Sequence, residues 1–369
     1  MKIRKIQKKI FLILLLPLAI LISYIGSRNS YIIEQLYSNS VYKFFSQVFS
    51  RLTGILPFSV GELLLIIIVF IFVYSMIITI IKATKLKTQR IRVCLNFLLN
   101  TIILISILYF TFIVIWGLNY HRLPFSEISE FDVKPSSTDE LVMVCNDLIN
   151  RANKLREEVL EDSSGVMKLN YNNKEVFIKA YQGYDAASCL YSELGGKYGR
   201  PKGLIFSKGL SISGISGIYS PFTFEPNVNI EIPDCMIPST TCHEMAHQRG
   251  FAREDEANFI SYLTCNLHPD IEFQYSGTLL ALIHSMNTLY KYDENEFTKL
   301  RKRYSDGVIR DLISLSEFWA SYEGPVERAS NKLNNAYLKS NYQKDGVRSY
   351  GRMVDLLIAE YRSKESKNY

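Results

Sequence analysis

Three long apolar runs dominate the first third of the chain, and nothing comparable follows them. Residues 10–25, 60–81 and 95–118 are nearly continuous in Ile, Leu, Val and Phe, which predicts three helices that span a bilayer. The 60–81 run carries a single acid, Glu62, near its start, and Trp116 and Tyr120 suit the interfacial belt at the end of the third. No small-x-small cleavage site follows the first run, so it reads as an uncleaved anchor. Between the first two runs, Val41, Phe44, Phe45, Val48, Phe49 and Leu52 recur at helical spacing. That segment is expected along the membrane surface or packed on the spans.

From residue 119 the pattern shortens. Ser136-Ser137-Thr138-Asp139-Glu140 is a helix-start signal, with Leu141, Val144, Cys145, Leu148 and Ile149 at helical spacing behind it. Residues 165–182 alternate loosely, as in Glu175-Val176-Phe177-Ile178-Lys179, and predict a strand. Short β-like pieces follow at Leu204–Phe206 and Ile215–Tyr219, and Val228–Ile232 alternates strictly until Pro233. Helical patterns recur at 277–291, 294–303, 307–321, 324–340 and 350–363. The fold class is therefore α+β. A membrane domain over 1–118 precedes a mostly helical domain with a small β-sheet over 119–369.

Charge sets the topology. The net charge of +6 is modest, and the basic residues of the N-terminal third flank apolar runs, which points to a lipid bilayer as partner and not to nucleic acid. The head carries Lys2, Arg4, Lys5, Lys8 and Lys9, and the 82–92 loop carries Lys82, Lys85, Lys87, Arg90 and Arg92. The longer 26–59 segment holds only Arg28, Lys43 and Arg51. The positive-inside rule puts head and short loop in the cytoplasm and everything from about residue 119 outside. The six cysteines show no Cys-x-x-Cys pair, which argues against a disulfide framework or a thiolate metal site.

The chemistry concentrates in Cys242-His243-Glu244-Met245-Ala246-His247-Gln248-Arg249-Gly250. His-Glu-x-x-His on a helix aims two imidazoles, one turn apart, at one metal ion. Glu244 then reaches a water on that ion as general base. Gly250 is a natural helix stop, and Glu254, Asp255 and Glu256 open a second helix that returns carboxylates to the site. A hydrolytic Zn2+ takes three protein ligands and keeps a fourth position open. His243 and His247 supply two. A third histidine at metzincin spacing would fall at Arg253, so the third ligand is one of the three acids. An oxyanion also needs a donor, for which Tyr219, Arg348 and Tyr350 are candidates.

Glu254-Asp255-Glu256-Ala257-Asn258 resembles the Glu-x-x-Ala-Asp/Asn signature of glutamate zincins, including membrane proteases of the CAAX-prenyl and heat-shock type. That resemblance implies a zincin-like metallopeptidase domain with Glu254 as the third zinc ligand; the short spacing from His247 keeps Glu256 as its rival. A closer resemblance covers almost the whole chain. The three spans, Ser220-Pro221-Phe222, the run His243–Phe259 and the distal Asp345–Asp355 are similar to the membrane proteins grouped as domain of unknown function 3810. The expectation is a membrane-anchored zinc metallopeptidase acting on a peptide or protein substrate at the outer face. Two alternatives stand beside it: a non-catalytic zinc-containing sensor or envelope-binding protein, and a zinc amidase acting on cell-envelope material.

Overall fold

Apolar composition and helix length coincide at the N-terminal end. In the computed structural model, which describes residues 2–340 and 352–367, three helices are long and apolar enough to cross a membrane. These are Gln7–Gly26, Val60–Lys85 and Lys87–Ile115, here called the first, second and third spans. They expose Phe11, Leu65, Phe70 and Leu98, side chains suited to lipid. Ser59 caps the second span, its hydroxyl accepting from the Glu62 N–H at 3.0 Å. The third span stops at Ile115, short of the expected residue 118. Gly117–His121 form a 3-10 turn there, with Gly117 pressed on Ile113 and Phe112 too closely for a side chain.

The segment between the first two spans is helical, as its periodicity predicts: Ser30–Ile32, a π-helical stretch Ile33–Tyr42, and Lys43–Thr53. Its polarity is inverted. Glu34, Ser38, Tyr42, Ser46 and Ser50 are buried, while Leu36, Phe44, Phe49 and Leu52 face outward. The buried face is held by specific bonds. Glu34 accepts from Arg122 Nη2 at 2.6 Å and Nε at 2.9 Å, and the Arg122 guanidinium lies 3.8 Å over the Phe251 ring.

The remainder is mostly helical with two small sheets. β1 (Leu160–Glu161) pairs antiparallel with β2 (Met167–Lys168). In the second sheet, β3 (Lys202–Gly203) runs parallel to β5 (Glu225–Val228), and β4 (Gly217–Ser220) pairs antiparallel along the other side of β5. β4 is therefore an edge strand. The core joins helices Thr138–Arg156, Ile237–Gln248, Glu254–Asn266 and Ile271–Tyr292 through Leu148, Ile149, Met245, Phe259, Phe273 and Leu279. All six cysteines are free.

Three strand expectations need correction. Glu175–Lys179 is helical, within Asn173–Lys179, because Asn172 caps the Glu175 N–H at 3.1 Å and the turn buries the neighbours Val176 and Phe177 together. The strand expected at Val228–Ile232 lies earlier, at Glu225–Val228: the Asn229 side chain accepts from the Glu231 N–H at 3.0 Å and turns the chain out of the ladder. No strand forms at Leu204–Phe206; it lies just before, at Lys202–Gly203, because the Glu62 carboxylate takes the Ile205 and Phe206 N–H groups at 3.2 and 2.7 Å.

That contact is one of a pair that fastens the second span to the sheet. In return, Glu225 on β5 accepts from the Val60 and Gly61 N–H groups at 3.2 and 2.7 Å, where the helix start favours an anion. Lys202 completes the joint, pairing with Glu225 and donating to the Thr53 and Phe58 carbonyls at 2.7 Å each. Gly26, at the end of the first span, packs on Leu118 and His121 just past the end of the third. The end of the first span, the start of the second and the end of the third all meet the same side of the helical domain.

Candidate metal centre

Pro238 in the first turn and Gly250 beyond the last bound the motif helix, Ile237–Gln248. Gly250 has φ +84°, a conformation that glycine adopts freely and that reverses the chain within four residues. The next helix, Glu254–Asn266, begins with its three acids in the first turn, where the positive end of the helix stabilises them.

This reversal brings His243, His247 and Glu254 together. His247 Nε2 lies 3.1 Å from His243 Nε2, and the Glu254 oxygens lie 3.2 Å from His243 Nε2 and 3.7 Å from His247 Nε2. A tetrahedral zinc with arms of 2.0–2.2 Å has edges of roughly 3.3–3.6 Å between ligand atoms, so the spacing fits such an ion. The protonation pattern fits too. His247 Nδ1 lies 2.7 Å from the Phe251 carbonyl, which accepts a proton there and leaves Nε2 as a bare lone pair. At His243, Glu254 and, to a lesser degree, Asn258 favour a proton on the ring. Two imidazole nitrogens and a carboxylate therefore share one small space, an arrangement that suits a cation. They can hold a metal ion.

Glu244 faces the same cluster. It is 3% exposed, and its Oε2 has no hydrogen-bond partner. Burial pushes its carboxyl up to about 8; His243 opposes that shift and Glu254 adds to it. Burial likewise lowers His247 to about 4 against the pull of Glu254. At His243 burial works downward, but Glu254 outweighs it and the imidazole is raised. Gly217 on β4 forms the wall beside Glu244: a Cβ there would come within 2.5 Å of Glu244 Oε1.

The rival acids go elsewhere. Glu256 accepts from the Phe125 N–H at 2.9 Å and from Arg253 Nη1 at 2.7 Å, so it braces the reversal and leaves the cluster to Glu254. Asp255 is outside the cluster. Tyr219 stacks near the His247 ring at 6.5 Å, but its hydroxyl meets that of Tyr42 at 3.0 Å. Arg348 and Tyr350 lie outside the described residues. Cys242 is buried in the core next to Cys265. A separate surface hollow, lined by Val144, Leu148, Tyr262 and Leu357, has no part in the metal centre.

Two supporting residues are not evident in the sequence. Tyr42 donates to the His247 and Gln248 carbonyls at 3.3 and 3.0 Å, and the Trp116 indole donates to the His247 carbonyl at 3.4 Å. Both tie the metal helix to the membrane region across more than a hundred residues. Trp116 is legible as an interfacial residue, but its partner is not.

No curated protein and no solved structure matches the chain. The chain belongs to the family described as proteins of unknown function, DUF3810, which it matches over residues 37–358.

Proposed function

We propose that the protein is a membrane-anchored zinc peptidase of zincin-like character whose catalytic face lies outside the cytoplasm. One observation carries this reading: two imidazole nitrogens and the Glu254 carboxylate lie within 4.8 Å of one another, next to the buried Glu244, whose Oε2 has no partner. Zinc held by His243, His247 and Glu254 supplies Lewis acidity, which polarises a carbonyl and brings the pKa of water towards neutrality. Glu244 accepts a proton from the attacking water as the water oxygen adds to the carbonyl carbon. It returns that proton to the departing nitrogen as the C–N bond breaks, which gives one carboxyl and one amine product. Burial keeps Glu244 away from solvent, and the missing side chain at Gly217 gives its carboxylate the space it occupies. Arg348 and Tyr350 are the proposed oxyanion donors. The outward orientation rests on the ten basic residues of the head and the 82–92 loop.

Glu244→Gln tests the proposal. The variant keeps the shape of the side chain and removes its basicity. Zinc content should stay at one ion per chain, while hydrolysis of a mixed-sequence peptide library falls by about two to four orders of magnitude. Full activity in Glu244→Gln would end the case for a general base and favour a binding role.

A further inference from the structure

The cluster lies one side chain away from the end of the third span. Trp116 directly follows Ile115, the last residue of the third span, and its ring is 6.2 Å from the His247 imidazole between centroids. The edge strand gives a second measure. Gly217, at the start of β4, abuts Glu244, while Ser220, at its end, packs on Gly61 in the first turn of the second span. The three steps from Gly217 to Ser220 cover about 10 Å at roughly 3.3 Å each. One end of β4 is therefore at the chemistry and the other at the membrane.

The surroundings agree. The segment Ser30–Thr53 is built inside out, with its polar face against the metal helix and its apolar face outward. Ile205 and Phe206, in the loop that Glu62 ties to the second span, are 79% and 66% exposed. In water such a surface is unfavourable; at the headgroup level, continuous with three spans, it is at home. These apolar surfaces adjoin the ends of the spans, where a domain resting on a bilayer would meet it.

We infer that the substrate is held in the same bilayer: an extended polypeptide segment leaving the membrane, paired along β4, and cut within about six residues of its anchor at strand spacing. This rests on the peptidase reading above. Backbone pairing on an edge strand reads extended shape and not side chains. Selectivity then comes from the tether, which raises the local concentration of any segment that shares the membrane.

The test uses the full chain in vesicles loaded with zinc and two probes. One is a randomised twenty-residue segment joined to a single transmembrane anchor in the same vesicle. The other is the same segment free in solution. At equal total concentration the anchored probe should be cut about 100-fold faster, the usual scale of a tether effect. Mass spectrometry should place its cuts within six residues of the anchor. Equal rates on the two probes, or cuts spread along all twenty residues, would overturn this inference and leave the peptidase reading standing. Cleavage of neither probe would overturn both.

Discussion

Arg122 and Glu34 bury a charge pair whose partners the chain supplies, whereas His243, His247 and Glu254, beside the same motif, gather three metal-ligating groups around one point and leave the neighbouring Glu244 Oε2 without a partner. Arg122 gives two N–H groups to Glu34, a third to the Arg249 carbonyl at 3.3 Å, and its flat face to Phe251. Lys202 and Glu225 are as fully engaged, between the sheet and the second span. Burial does not separate them cleanly: Arg122, Glu34, His247 and Glu244 are buried, while the His243 and Glu254 side chains are 14% and 18% exposed. Saturation does. Charges that fix the fold are satisfied by the chain itself, because an unpaired buried charge is destabilising by several kcal/mol. At the centre, by contrast, the buried Glu244 Oε2 has no partner among the described residues.

The sharpest way to break this contrast is to remove one member from each set. His247→Ala should lose stoichiometric zinc and all detectable hydrolysis while the chain stays folded, since one of three ligands is gone. Metal analysis with a thermal melt checks both halves. Arg122→Met should act in reverse: it strands Glu34 and costs about 3–5 kcal/mol of stability. Any chains that remain folded should still bind zinc. A folded, zinc-loaded His247→Ala protein would remove that residue from the metal site.

A smaller effect separates the two neighbouring glutamates. Glu254→Ala should empty most of the site. Glu256→Ala should keep its zinc and instead lose about 1–3 kcal/mol, because the buried Phe125 N–H is left without an acceptor. The reverse order of zinc loss would place Glu256 in the site and Glu254 in the brace.

How much of this was legible follows from how local each feature is. The spans are written in composition, and the His243–His247 pair in a four-residue spacing. Gly250 marks the reversal because few other residues adopt its φ. The choice between Glu254 and Glu256 is not local. It depends on how the second helix is rotated, and Phe125 and Arg122, more than a hundred residues earlier, fix that rotation through Glu256 and Arg253. The inverted helix at Ser30–Thr53 shows a clear apolar stripe, but the stripe alone does not say that it faces outward while Tyr42 and Ser46 meet the metal-motif helix at Gln248. Short alternations misled for a related reason. Five residues around Val176 fit a strand or a helical turn equally well, and the Asn172 cap decides.

The smallest effect belongs to a pair at the surface, which tests whether saturation matters where water can substitute. Arg362 donates to Glu140 from Nε at 2.7 Å and Nη2 at 2.9 Å, and Glu140 also completes the cap at Ser137. The Arg362 bond, followed by the Ser137 N–H, holds the Glu140 carboxyl down at about 2. A carboxyl lowered by folding adds stability above its unfolded value near 4.5, and that stability is lost as pH falls towards 2. Water screens this pair, so Arg362→Gln should cost no more than about 1 kcal/mol at neutral pH. The informative readout is the slope. Between pH 5 and 3 the melting temperature of the natural chain should fall more steeply than that of Arg362→Gln, because the variant has less left to lose. Parallel curves would mean that Glu140 is held by its cap alone, and that only the buried pairs carry charge energy in this fold.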